Sequence, residues 1–297
     1  MKLKKEFDIM NGILIINKPK GYTSRDIVNI VSKALNTRKV GHTGTLDPMA
    51  EGVLVICIGK ALKICELLSA KEKEYTAGVR LGIETDTLDI DTNSTVLNEV
   101  PCHIEKKKIE EILLTYNKTY YQEVPKYSAV KVNGRKLYEY ARSNKEVELP
   151  KKEVTISNIN LLEGPYYNNK YTDFKFNTTV SEGTYIRSLI RDIGTDLGFP
   201  AVMTSLIRTR QGNFSVKESY TLEDIKNGNY KIISIMDALP HIKTEIISKE
   251  NQKKVLNGAP IDKFMDKEEA FLLDEDNNLI ALYKNNDEYA RAYKMFI

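Results

Sequence analysis

The sequence predicts an α+β fold with a second, smaller β-rich unit at its C-terminal end. Three observations carry that expectation. Short apolar runs such as Gly12-Ile-Leu-Ile-Ile-Asn17 read as buried strands, helical spacing follows strands without strictly alternating with them, and turn signals separate short apolar runs beyond residue 243. A chain of 297 residues can bury a full core and suggests one large domain plus a small one.

In chain order, Gly12–Asn17 is a strand closed by Lys18-Pro-Lys-Gly21, and a helix follows. Thr23 or Ser24 can cap it, Asp26 suits its first turn, and Ile27, Ile30, Val31, Ala34 and Leu35 form one apolar face. A polar loop over about 37–51 leads to the strand 52–58, then to a short helix with Ala61, Ile64, Leu67 and Leu68 on one side. The segment 75–81 alternates as a half-buried strand does, and the loop after it is acidic, with Glu84, Asp86, Asp89 and Asp91. Helical spacing resumes from Ile104 to Tyr116. Residues 119–152 are irregular, with Tyr interleaved among Lys and Arg, and read as an extended arm. Two strands, 154–160 and 171–180, are expected around a turn at Gly164-Pro-Tyr-Tyr-Asn-Asn169. A helix over 183–197 ends at Gly198 as a C-cap. In the last unit, Asn257-Gly258 and Asp276-Asn-Asn278 separate the runs.

A hydrophobic fraction of 41% and a charged fraction of 29% describe a soluble globular protein and exclude disorder. No run approaches eighteen apolar residues, and Met1-Lys-Leu-Lys-Lys-Glu6 lacks a signal peptide's apolar stretch, so a cytoplasmic protein without membrane contact is expected. Cys57, Cys65 and Cys102 are odd in number and form no Cys-x-x-Cys pair, which implies packing residues and no zinc site. The net charge of +3 is unevenly spread. Residues 1–50 and 124–152 each carry +5, whereas 261–297 hold five basic and nine acidic residues and are a poor place for phosphate contacts.

The densest polar loop is Gly41-His-Thr-Gly-Thr-Leu-Asp-Pro48, between apolar strands, where Gly41, Gly44 and Pro48 suggest an unusual backbone path. Such a loop can hold the Asp47 carboxylate at a fixed point, but an Asp before Pro also closes turns. Composition alone leaves both readings open. The run Gly41–Leu54 resembles the signature loop of the TruB family, the tRNA pseudouridine-55 synthases. Asn17–Gly21, Lys73-Glu-Tyr75, Leu81–Asp89, Tyr127-Ser-Ala-Val-Lys131 with Tyr140-Ala-Arg142, and Gly183-Thr-Tyr-Ile-Arg-Ser-Leu189 resemble further family motifs in the family's order, so the likeness spans roughly residues 12 to 214.

The resemblance implies a mixed, mainly antiparallel pseudouridine-synthase sheet flanked by helices over 1–242, an RNA-gripping arm at about 124–152, and a small PUA-like domain over 243–297. It implies an isomerase that converts uridine-55 in the T-loop of tRNA to pseudouridine, with no cofactor, no metal and no net redox change. Asp47 stands at the family's nucleophile, which attacks either the ribose C1′ or the uracil ring. Arg187 stands at the arginine that pairs with it through charge-assisted hydrogen bonds. Tyr185 is placed near the C5 proton; two residues from Arg187, it shares a pocket with it only in an extended entry to the helix. Tyr75 matches the aromatic that stacks on the flipped uracil, His42 the histidine that fills the vacated space, and Leu206 an apolar residue of the pocket. Lys131, Arg135, Lys136 and Arg142 of the arm, and Lys18 and Lys20 in the first turn, are candidates for contact with the T-stem and loop. A monomer is expected. The departures from the pattern are Leu62 for a common Thr, Ser181 for a frequent Cys, and Val124 before Pro125. A tRNA-remodelling protein with secondary catalysis and a guide-RNA-dependent synthase subunit are the alternative readings.

Overall fold

A computed structural model describes residues 10–69, 72–90, 95–168 and 170–297. The stretch before Met10, Asp91 and Asn169 enter the expectations above and lie outside the described residues.

Strand β1 (Gly12–Lys18) leads into helix α1 (Ser24–Ala34). Thr23 caps it in a reciprocal box with Asp26, each accepting from the other's backbone N–H, at 3.1 and 2.9 Å. The buried stripe runs through Ile27, Val28 and Val31, so Ala34, expected on that face, is exposed, and Val28 takes part instead. β2 (Val40–His42) and β3 (Glu51–Ile58) pair antiparallel, so the expected loop of 37–51 begins as a strand edge. A 3₁₀ turn over Gly59–Ile64 then leads through α2 (Cys65–Ser69) to β4 (Lys73–Leu81). A small hairpin of β5 (Ile83–Thr85) and β6 (Val96–Glu99) precedes α3 (Lys106–Thr115) and β7 (Thr119–Glu123). The arm consists of β8 (Lys131–Val132), β9 (Arg135–Lys136) and α4 (Leu137–Arg142). After it come β10 (Lys151–Tyr167), β11 (Thr172–Val180), α5 (Ile186–Leu197), β12 (Ala201–Gln211), β13 (Phe214–Ser215) and α6 (Leu222–Asn227). The chain ends in β14 (Lys243–Ile246), α7 (Lys249–Leu256), β15 (Glu269–Leu273), β16 (Leu279–Asn285) and β17 (Ala290–Met295).

The central sheet has the order β1-β3-β12-β4-β11-β10-β7, with β2 on β3 and β13 on β12. Its neighbours are antiparallel except for the short β3–β12 contact, which agrees with the mixed, mainly antiparallel sheet expected. Two expectations are corrected here. Thr119–Glu123 is the edge strand of the sheet, paired with Lys151–Thr155, and the arm begins only after it. β10 runs through Gly164-Pro165, where a turn was expected. In that half β10 pairs only with β11, so the missing N–H of Pro165 falls on a sheet edge, and register shifts between Leu161 and Tyr166 absorb the irregularity.

The apolar runs are continuous because both faces of the sheet are covered. Leu14, Ile16, Leu54 and Ile56 pack with Ile27, Val31 and Ile225 of α1 and α6. Ile13, Ile15, Val53 and Cys57, on the other side, pack with Phe271, Leu282 and Phe296 of the four-stranded C-terminal sheet, whose order is β14-β15-β16-β17. That sheet is also tied by Lys294 and Tyr293, which reach the Glu66 carboxylate at 2.7 and 2.5 Å. Further along, α3 and α5 bury Ile109, Leu113, Leu189, Ile190 and Ile193 against β4, β10, β11 and β12. Among the described residues no helix is long and apolar enough to cross a membrane.

Candidate active site

Asp47 lies between two clamped residues. Before it, Leu46 is held by Ser24, the first residue of α1, whose hydroxyl accepts from the Leu46 N–H at 2.9 Å and donates to its carbonyl at 3.2 Å. After it, the Pro48 carbonyl accepts from the Gly21 N–H at 2.8 Å and from the Lys18 ammonium at 3.2 Å. The loop's base is fixed by Arg208, which donates to the carbonyls of Val53 at 2.7 Å and Gly44 at 3.0 Å, and by Gln211, which donates to the Thr43 hydroxyl at 2.6 Å. The unusual backbone expected at Gly41 and Gly44 lies elsewhere, at Gly52. Its φ is +98°, and a Cβ there would stand 2.2 Å from the Arg208 carbonyl oxygen, because β3 and β12 come together at that residue.

Arg187, on the first turn of α5, meets Asp47 with Nη2 to Oδ2 at 3.0 Å. Its guanidinium also donates to the carbonyls of Thr87 and Tyr127, each at 3.1 Å, so its orientation is set from three sides. The arginine is 9% exposed, while the Asp47 side chain keeps 40% of its surface open. The pair thus presents a carboxylate to a cavity with its counter-charge held behind it. Tyr185 precedes α5 in an extended conformation (φ −100°, ψ 111°), which lets it share the cavity with Arg187.

The cavity has a volume of about 480 Å³ and brings together Asp47, Tyr75, Tyr185, Arg187 and Leu206. Tyr75 and Leu206 are both 7% exposed and stand on the adjacent strands β4 and β12. Tyr127, Ser128 and Tyr138 of the arm close one side. Lys73 and Arg208 form another wall that sequence reasoning passed over, although Lys73 opens the Lys73-Glu-Tyr75 motif and Arg208 follows Leu206 by two, the spacing of one strand face. Burial, with Arg208's like charge added, pulls the Lys73 ammonium down to about 8. Burial raises the Tyr185 phenol above its ordinary range, partly opposed by the Arg187 charge. At neutral pH Tyr185 is therefore a phenol, a hydrogen-bond donor rather than a ready base.

The remaining predicted residues fall in three places. Lys18 is fully buried and turned inward, its ammonium donating to the carbonyls of Pro19, Tyr22 and Pro48. It cannot meet a phosphate from there, and burial lowers it to about 8. Lys20 is exposed. His42 is on β2, does not line the cavity, and has a buried Nδ1 without a hydrogen-bond partner. Burial and the nearby Arg208 and Arg25 lower its pKa, which keeps the ring neutral. In the arm Lys131, Arg135 and Arg142 are exposed and Lys136 is half-buried. Lys136 and Arg142 both stand over the Tyr138 ring, at 5.5 and 5.4 Å from its centre.

A buried guanidinium aims a carboxylate into a cavity lined by tyrosines, on a mainly antiparallel sheet, the arrangement of an enzyme site. The model of the TruB family pseudouridylate synthase N-terminal domain matches residues 32–186, and that of the tRNA pseudouridylate synthase B C-terminal domain matches 187–237. Curated relatives include the tRNA pseudouridine synthase B of Bacillus subtilis (strain 168), 45% identical over 258 residues, covering 84% of this chain and 83% of the relative. That of Clostridium kluyveri is 41% identical over 303 residues, covering 97% of this chain and all of the relative. Among solved structures, a Cbf5-Nop10-Gar1 complex matches at 25% identity with a TM-score of 0.68, over 96% of this chain and 85% of that one. An H/ACA ribonucleoprotein bound to a substrate RNA containing 2′-deoxyuridine shares the fold at 23% identity and a TM-score of 0.68, over 97% of this chain and 86% of that one. The chain belongs to the TruB family of pseudouridylate synthases and is an enzyme of the isomerase class.

Proposed function

We propose that the chain isomerises uridine-55 in the T-loop of tRNA to pseudouridine, with Asp47 as its nucleophile. The observation that carries this reading is the Asp47–Arg187 contact at 3.0 Å beneath a cavity lined by Tyr75, Tyr185 and Leu206. The relatives named tRNA pseudouridine synthase B supply the substrate class. The N1–C1′ bond breaks, the uracil turns within the cavity, and a C5–C1′ bond forms. The C5 proton leaves and N1 gains one, so atoms and electrons balance without an oxidant. Asp47 adds to the ribose C1′ or to the uracil ring and leaves again. Arg187 holds its carboxylate in line, and water is displaced by the stacked base.

Tyr75 stacks on the flipped uracil, Leu206 packs on its edge, and Tyr185 bonds it as a neutral phenol. His42, outside the cavity and neutral, fills the space that the flipped nucleotide leaves. Arm residues Lys131, Arg135, Lys136 and Arg142, with Lys20, meet the phosphates of the T-stem and loop. In this reading residues 1–242 are the catalytic domain of a cytoplasmic monomer and 243–297 a PUA-like unit whose acidic surface takes little part in phosphate contact.

The test is to incubate the purified chain alone with unmodified tRNA transcript and measure pseudouridine by position. Product at uridine-55 without any added guide RNA or protein is expected. No product from the chain alone would defeat the reading, and product only with a guide RNA would move it to the guide-dependent class.

A further inference from the structure

Tyr185 and Arg187 reach one cavity only because Tyr185 stays out of the helix. In a regular helix, residues two apart point about 200° away from each other around the axis. The start of α5 has no side-chain cap of its own, and although the Tyr185 carbonyl accepts from the Leu189 N–H at 3.0 Å, the Tyr185 N–H points out of the helix. The fixing group comes from the edge strand β7. The Tyr185 N–H donates to Oε1 of Gln122 at 2.8 Å. Gln122 is 1% exposed and does not line the cavity.

The Gln122 amide can face only one way. Its Nε2 donates to the Tyr120 hydroxyl at 2.8 Å, and that hydroxyl donates onward to Asp192 at 3.2 Å, so the nitrogen belongs on the Tyr120 side and the oxygen faces Tyr185. Asp192 is in turn held by Arg191 at 2.8 Å, and the same arginine reaches Glu123 at 2.9 Å. Ser188, one residue beyond Arg187, donates to the Glu123 carbonyl at 2.8 Å. The first turn of α5 is thereby hung on two consecutive residues of β7.

We propose that Gln122 is a positioning residue for the isomerisation, holding Tyr185 extended at the mouth of α5 so that its phenol and the Arg187 guanidinium address the same bound base. The proposal rests on the reading of this cavity as the reacting site. Gln122→Met keeps the side chain's bulk and removes the acceptor. It is expected to lower kcat by up to about tenfold, no more than loss of the Tyr185 phenol itself, while KM for tRNA stays within about twofold because no RNA contact is lost. Gln122→Glu retains an oxygen for the Tyr185 N–H and should recover part of kcat. Wild-type kcat per folded molecule in Gln122→Met, a loss confined to KM, or equal kcat in the two variants overturns the proposal. Tyr120→Phe leaves Oε1 in place but frees the amide to turn, and decides the matter if Gln122→Met does not fold. A several-fold lower kcat at unchanged KM is expected, and unchanged kcat overturns it. Hydrogen exchange at the Tyr185 amide separates this idea from the proposed activity. It should be slow in the wild type and fast in Gln122→Met whatever either does to tRNA, and equal exchange refutes the contact itself.

Discussion

The loop that carries Asp47 and the arm over 124–152 face the same cavity and are held by opposite means. The Asp47 loop is pinned by polar groups on both sides of the aspartate, the side chains among them buried: Ser24 at Leu46, Lys18 and the Gly21 N–H at Pro48, and Arg208 beneath Gly44. The arm's helix rests on two buried anchors, Leu137 and Ala141, beside a hairpin of two residue pairs and a tyrosine between two cations. Its Lys131, Arg135 and Arg142 remain in solvent. A nucleophile must be placed to a fraction of an ångström, which demands satisfied, desolvated partners. A phosphate grip acts through charge, tolerates movement and needs exposure.

Four measurements test this contrast. Asp47→Asn keeps the loop's shape and removes the nucleophile, so kcat should fall by about 10³-fold or more with tRNA affinity nearly unchanged. Substantial remaining turnover would contradict the assignment of Asp47. Tyr185→Phe should cost roughly tenfold, because a phenol kept protonated by its burial orients the base without taking its proton. A loss as large as that of Asp47→Asn would make Tyr185 the proton acceptor. In the arm, replacing Lys131, Arg135 and Lys136 together by Ala should weaken binding and flatten the log K against log salt slope by about two to three. An unchanged slope would take the arm out of the RNA interface.

The smallest effect concerns pH. Lys73 is lowered to about 8, so it is charged below that value and loses its charge as pH rises through it. Turnover at limiting tRNA should decline above pH 8, and Lys73→Arg, which stays charged, should carry the declining limb to higher pH. A limb that does not move would assign it to another group, such as Lys18. For stability the sign is opposite. A lysine whose folded pKa lies below its unfolded one binds fewer protons when folded, so stability should rise between pH 8 and the unfolded lysine value near 10.5.

The strands at Gly12 and Gly52, the cap at Thr23 and the helix ending at Gly198 were legible in the sequence because local chemistry decides them. Lys18 shows where such reading stops. A lysine in a Lys-Pro-Lys turn has the composition of a phosphate contact, but its ammonium turns inward to the nearby carbonyls of Pro19 and Tyr22 and to that of Pro48, thirty residues away in sequence. Gln122 shows it again. It lies in a stretch whose charge and tyrosines describe an arm, yet pairing with Lys151–Thr155 makes that stretch an edge strand that meets the start of α5.

By itself the sequence determined the α+β class, the motifs that carry Asp47, Tyr75, Tyr185 and Arg187, and the uneven charge, since all of these are set by residue type and short spacing. Tertiary structure alone decided that Arg187 stands 3.0 Å from Asp47, that Lys18 serves the loop, and that β7 holds Tyr185 extended. The physical reason is that a hydrogen bond needs its two atoms within about 3 Å and in line, a condition that groups 30 to 140 residues apart can meet only after the sheet has brought their backbones together.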